Sequence, residues 1–238
     1  MEKVAVFHVR SNQVLYSVAA LLLLSFIFGV ISLEYNDSLD DNIVENQPIL
    51  APVGKLSIVV KVSQRVLEVY NNESLYKTYR IAVGKSETPT PIGEWNVVWK
   101  DYNWGTGFGT RWMGLNVPWG IYGIHGTNKP WSIGQFASHG CIRMRNKDVE
   151  ELFEWVPIGT GVRIEGRKIK VQRILKYQTS GSDVAALQLR LKELGYLSER
   201  ADGIFGNQTQ EAVETFQRDQ GFEVNGIVNK NVADLLGI

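Results

Sequence analysis

The hydrophobic period changes along this chain, and that change sets what its parts can become. Leu56, Ile58, Val60 and Val62 alternate with other residues, which puts them on one face of a β-strand. The turn-forming pairs Ser63-Gln64 and Asn71-Asn72 bound further strands expected at 65–70 and 75–83. Pro89 and Pro91 interrupt the pattern before Trp95, Val97 and Trp99 resume it. Short strands joined by turns predict a mainly-β domain of sandwich-like form. Residues 101–120, rich in Gly and Trp, read as a long loop, and 120–124 as a short strand delivering His125. Asn146 is expected to cap one short helix with Val149, Leu152, Phe153 and Val156 on a single side, stopped by Pro157 and Gly159. Residues 161–165 make a closing strand, and the basic stretch 167–177 is expected to run from a last strand into a linker.

Beyond that stretch the period becomes helical. Val184, Leu187, Leu191 and Leu194 form a stripe stopped by Gly195. Asn207 with Gln210 resembles a capping box opening a second helix with Ala212, Val213 and Phe216. Asn229 can cap a third helix carrying Val232, Leu235 and Leu236. Asp202-Gly203-Ile204 returns as Asn225-Gly226-Ile227, each turn preceding a helix. Residues 178–238 thus predict a three-helix unit of about 60 residues, near the lower size limit for independent folding.

The front of the chain has a different constraint. Residues 14–33 carry no charge, and twenty residues of helix span about 30 Å, the thickness of a bilayer core. Lys3 and Arg10 precede this run, whereas Glu34, Asp37, Asp40, Asp41 and Glu45 follow it. The expectation is a cytoplasmic segment 1–13, a transmembrane anchor 14–33, an extended linker 34–53 and a bulk chain outside, with a cleaved signal peptide as the rival. With 25 basic and 25 acidic residues, the chain shows no nucleic-acid footprint.

The chemistry concentrates in 124–144, which holds the only cysteine and two of the three histidines. A thiol attacks as thiolate, and an imidazole within reach is the common way to make one. An exported chain with a single Cys cannot form an intrachain disulfide, so Cys141 calls for another use. Gly140 leaves room for a carbonyl to approach, and the N–H groups of Gly140 and Cys141 are candidates for an oxyanion hole. From the residues alone either His125 or His139 can be the base, and Arg143 is either a carboxylate fork or a structural arginine. Six of the seven tryptophans lie between 95 and 131. Trp95 and Trp99 are expected in the core, and Trp104, Trp112 and Trp131 either in the core or on a cleft wall.

The pattern H-G-T…S-H-G-C-I-R-M at 125–144, behind the turn Thr88-Pro89-Thr90-Pro91-Ile92-Gly93, resembles the L,D-transpeptidase catalytic domain of bacterial cell walls over roughly 54–166. The motifs at 181–217 are similar to the three-helix peptidoglycan-binding domain, although Asn225, Asn229 and Val232 stand where Asp, Gly and Thr are usual. The resemblance implies Cys141 as nucleophile, His125 as base, a Gly126 carbonyl orienting the imidazole, and His139 and Gly140 shaping the catalytic loop. It assigns substrate contacts to Arg143, Ser138, Trp131 and Thr127. It implies no metal and no cofactor, and stem peptides and wall polymer as partners; with the anchor read from 14–33, the expectation is a monomeric membrane-anchored enzyme facing the wall. The implied reaction is cross-linking of stem peptides through a thioester. The alternatives are trimming of stems by hydrolysis and non-catalytic wall binding.

Overall fold

The computed structural model describes residues 51–166 and 169–238. The expected anchor at 14–33 and nearly all of the linker at 34–53 lie outside the described residues. Among the described residues no helix is long and apolar enough to cross a membrane.

Among the described residues ten strands precede the tail: β1 (Leu56–Lys61), β2 (Val66–Asn71), β3 (Ser74–Arg80), β4 (Val83–Gly84), β5 (Gly93–Tyr102), β6 (Arg111–Leu115), β7 (Tyr122–His125), β8 (Phe136–Ser138), β9 (Ile142–Arg143) and β10 (Gly161–Glu165). Eight form one mixed sheet in the order β3-β2-β1-β10-β5-β6-β7-β9, and β4 and β8 form a separate parallel pair. The mainly-β domain expected from the alternation is present, and strands from both ends of the sheet, such as Leu67 and Val69 of β2 and Met113 and Ile124 of β6 and β7, bury side chains in one core. β10, last in sequence, sits at the centre, parallel to β1 and antiparallel to β5. β6 corrects the expectation of an unbroken loop at 101–120. Its glycine hid it: a Cβ on Gly114 would lie 2.5 Å from the Trp99 indole, so the strand needs Gly there.

The helix α1 (Asn146–Trp155) lays Val149, Leu152 and Phe153 in the same apolar core as Met113 of β6, Ile124 of β7 and Ile142 of β9. Asn146 does not cap it. Arg145 holds the cap position without capping the helix through its side chain, and Asn146 Oδ1 accepts the Thr127 N–H at 3.0 Å. This bond ties the start of the helix to the loop that follows His125.

The tail folds as three helices, α2 (Ser182–Glu193), α3 (Asn207–Asp219) and α4 (Lys230–Leu236), around Leu187, Leu191, Phe205, Val213, Phe216 and Leu236. Leu194 is exposed and leaves the expected stripe. The echoed turns are two copies of one device. Buried Gln188 accepts from Gly203 N–H at 2.7 Å and donates to Asp202 Oδ1, while buried Gln217 accepts from Gly226 N–H at 2.9 Å and donates to Asn225 Oδ1. Asn225 therefore does for its turn what Asp202 does for the other. Asn229 caps α4 through Val232 N–H as expected, but Gly206 rather than Asn207 holds the cap of α3. No strand forms at 169–177; Val171 and Leu175 enter the tail core, and Leu175 bridges to Val228.

The tail packs on the sheet. The Glu94 carboxylate on β5 accepts from Lys192 Nζ at 2.8 Å and from Ala201 N–H at 3.0 Å, and Glu94 N–H donates to Ala201 O at 2.9 Å. Trp119 meets Trp95 edge-on at 5.4 Å, and lies so close to Gly203 that a Cβ there would sit 2.4 Å from its ring.

Candidate active site

Register builds the site. β6, β7 and β9 pair so that Trp112, His125 and Arg143 stand side by side in one row. Alternation puts this row on the face opposite Met113, Ile124 and Ile142, which pack in the core with α1. Cys141, two residues before Arg143, falls on the same face as the row. Thiol and imidazole thus come from two adjacent parallel segments and share one sheet face.

His125 is almost wholly buried. Its Nδ1 faces the Gly126 carbonyl, a geometry that places a proton on Nδ1. Trp112 stacks on one side at 5.5 Å and 22°, and Phe108 meets the ring edge-on at 5.0 Å. Burial outweighs the Gly126 and Phe108 backbone carbonyls and lowers the imidazole to about 4, with the Arg143 charge acting in the same direction.

The Cys141 thiol is half-buried and lies 4.0 Å from the Ile121 carbonyl. Burial pushes its pKa up, against a backbone hydrogen bond from Gly123 and the charge of Arg143. Burial thus favours the uncharged form of both groups. Gly140 sits at φ +112°, and a Cβ there would come within 2.6 Å of the Tyr122 ring. Both observations account for glycine before the cysteine.

Ser138 holds this loop together. Its buried hydroxyl accepts from Gly140 N–H at 3.1 Å and donates to Cys141 O at 2.6 Å. The Gly140 N–H is therefore engaged inside the loop, and Ser138 faces the loop rather than open space. Thr127 is likewise buried, with its N–H on Asn146 and its Oγ1 accepting from Lys129 N–H at 3.1 Å. His139 is exposed. Trp131 is 70 % exposed on a 3-10 turn at Pro130–Ser132 and makes no ring contact with the site. Arg143 lies near enough to Cys141 and His125 to act on both, and its Nε is buried without a partner.

The residues that sequence reasoning left undecided are aromatic. Trp104 overlies Trp112 at 4.2 Å, Trp99 lies 6.1 Å from Trp112, and Phe108 closes the cluster. Trp99, expected in the core, belongs to this wall. The tryptophan clustering between 95 and 131 was the available signal, but only the β6–β7 register selects Trp112 as the imidazole's neighbour. A cavity of about 600 Å3, walled by Val62, Lys85, Glu87, Ile92 and Phe136, lies along the β4–β8 ladder and does not include Cys141 or His125. Among the described residues no cluster of His, Cys, Asp and Glu is arranged to hold a metal.

Comparison with known proteins places these features. The family model for the L,D-transpeptidase catalytic domain, YkuD, matches residues 55–164, and that described as "Putative peptidoglycan binding domain" matches 180–236. The chain is 40% identical over 164 residues to the "Putative L,D-transpeptidase YkuD" of Bacillus subtilis, covering 66% of this chain and 97% of that protein. It is 50% identical over 107 residues to the protein of the same name in Bacillus licheniformis, covering 45% of this chain and 64% of that relative, just under two thirds of its length. Among solved structures, the catalytic domain of an L,D-transpeptidase from E. faecium aligns over 46% of this chain and 96% of that one, with 28% sequence identity and a TM-score of 0.41.

Proposed function

The chain belongs to the L,D-transpeptidase family, and from that premise we propose that it cross-links peptidoglycan stem peptides through a thioester on Cys141. The observation that carries the reading is the site row. A lone thiol shares a sheet face with a buried imidazole whose Nδ1 is held by Gly126, which leaves Nε2 as the nitrogen assigned to take the thiol proton.

In this mechanism the imidazole takes the thiol proton as sulfur attacks, since burial favours the uncharged form of both groups. The Cys141 thiol turns from the Ile121 carbonyl toward His125 when the substrate carbonyl arrives; catalytic hydrogen bonds commonly tighten only in the complex. Sulfur bonds to the carbonyl carbon of the stem's third residue, and the carbonyl electron pair moves onto oxygen. Collapse expels the terminal D-alanine amine, which leaves with the proton from His125. An amine of a second stem then attacks the thioester and loses a proton to His125, the C–S bond breaks, and that proton returns to the departing sulfur, which completes the cross-link and restores the resting pair. Ionising a thiol of ordinary pKa at pH 7 gains about 2 kcal/mol, so positioning and oxyanion stabilisation must supply more of the acceleration. Arg143 supplies a fixed positive charge beside the reacting atoms.

Residues 180–236 are proposed to hold wall polymer near this cleft, supported by the family match and by the intact Gln188 and Gln217 turns. The uncharged run 14–33 supports a membrane anchor with the catalytic part on the wall side. Incubating the full chain with imipenem and measuring its intact mass tests the nucleophile. Digesting wall material after reaction tests the outcome: linked stems mark a transferase, and shortened unlinked stems mark a trimming hydrolase.

A further inference from the structure

The cysteine rests on a corner with few bonds of its own. β6 and β7 pair as far as Leu115 and Tyr122, and residues 116–121 turn between them. Among the described residues, no N–H of 117–121 donates to a backbone carbonyl. The Ile121 side chain is 65 % exposed and adds no anchor. Yet this corner carries the thiol. Ile121 O faces Cys141 Sγ at 4.0 Å, and the Gly123 backbone hydrogen-bonds the same sulfur. Between them, the Tyr122 ring lies against Gly140, where a Cβ would come within 2.6 Å of it. Three successive residues thus form the bed of the catalytic loop.

Two side chains hold the corner from its other end. Val117 is buried in the sheet core, and Trp119 reaches from that core to the tail. On one side the Trp119 ring meets Trp95 edge-on at 5.4 Å. On the other its outer edge fills a socket at Gly203, where a Cβ would sit 2.4 Å from Cζ3 and 2.6 Å from Cη2. The socket is braced within the tail. Gly203 N–H donates to Gln188 Oε1 at 2.7 Å, and Gly203 O accepts from Gly181 N–H at 3.0 Å. The echoed turn behaves differently: a Cβ on Gly226 would meet Gln210 and Glu214 of the tail's own α3. Of the two turn glycines, Gly203 receives a ring from the catalytic sheet, and that ring stands two residues before the Ile121 carbonyl.

We propose that Trp119 is a positioning residue: seated in the Gly203 turn, it lets the docked tail hold the corner 119–123, and through it the Cys141 thiol, in line for attack. The inference rests on the acyl-transfer reading above. The tail then contributes to every acylation, including that by a small soluble β-lactam far from any wall polymer.

The test measures imipenem acylation in the full chain, well below the melting temperature of each variant. Trp119→Ala empties the socket and Gly203→Ala fills it with a methyl group, so the two disturb one contact from opposite sides. Both are expected to be acylated on the order of 10- to 10²-fold more slowly at saturating imipenem, with the saturation constant within about threefold of the wild type. Alkylation by iodoacetamide, a small reagent that meets a thiol from many directions, should change far less. Glu94→Ala loosens the tail elsewhere, by removing the bonds to Lys192 and Ala201, and should be acylated at the wild-type rate. A wild-type rate in folded Trp119→Ala would make Trp119 a packing residue and overturn the proposal. A wild-type rate in folded Gly203→Ala would overturn it as well, since the tail would not act through the ring. If Gly203→Ala does not fold, Trp119→Ala set against Glu94→Ala decides: equal slowing of those two would assign the effect to general loosening. Equal slowing of acylation and alkylation would place it in thiol ionisation rather than direction, again against the proposal. A wild-type chain that is alkylated but never acylated would reject the acyl-transfer reading itself, and this proposal with it.

Discussion

At the scale of single residues, burial favours the uncharged form of both the thiol and the imidazole. Cys141→Ala should abolish imipenem adduct formation and wall cross-linking while leaving the melting temperature within about 3 °C, because only one half-buried sulfur is removed and the Cβ stays; retained cross-linking would displace Cys141 as nucleophile. His125→Ala should lose nearly as much activity, since the two groups act as one unit, and His139→Ala much less, since that ring is exposed. The lowered imidazole has a consequence for pH. The unfolded chain takes up a proton on this histidine near 6.5, whereas the folded chain resists until about 4. Its contribution to stability is thus complete above 6.5 and is lost as pH falls toward 4, by on the order of 3 kcal/mol. Urea titrations from pH 7 to 4.5 should show this loss in the wild type and not in His125→Gln. Parallel slopes would place the imidazole in water. The acid limb of kcat/KM should likewise lie near pH 4 rather than 6.5.

At the scale of elements, the catalytic loop is shaped by two small residues. Gly140→Ala brings a Cβ onto the Tyr122 ring at a backbone conformation that alanine avoids, a cost of roughly 1–3 kcal/mol. A fall in melting temperature on the order of 5 °C, with a loss of acylation, is expected in a thermal shift and mass experiment. Ser138→Ala frees the Gly140 N–H and removes the clamp on Cys141 O, so it should slow acylation through loop disorder. Hydrogen exchange at Gly140 and Cys141 would report this directly, and unchanged protection there would show the clamp to be idle. The same scale holds the clearest limit on local reading. β6 was hidden because its Gly114 and its aromatic neighbours look like loop composition, and it is a strand because Val97–Tyr102 and Tyr122–His125 bracket it.

At the scale of the whole molecule, the helical tail is packed onto the sheet it follows. Lys192 and Ala201 N–H hold the Glu94 carboxylate below its ordinary range although burial pushes the other way. Glu94→Ala should cost about 1–3 kcal/mol, visible as a lowered melting temperature, with imipenem acylation retained. Truncation after 177 should destabilise the sheet further by uncovering Trp119 and the Ala185 contact with the core; a truncated chain melting at the full-length temperature would make the packing incidental. By itself, the sequence determined what local geometry dictates: the alternating strands β1 to β3, the three tail helices, the Asn229 cap, and the pairing of a lone cysteine with histidines. Side-chain period and turn chemistry act over a few residues, so they are legible in any short window. What only the tertiary structure decided depends on partners far apart in the chain. β10 lies at the sheet centre because β1 and β5 accept it there. Asn146 serves the His125 loop instead of its own helix, and Ser138 takes the Gly140 N–H. The Trp112, His125 and Arg143 row exists because three strands pair in one register, and no window of sequence contains all three.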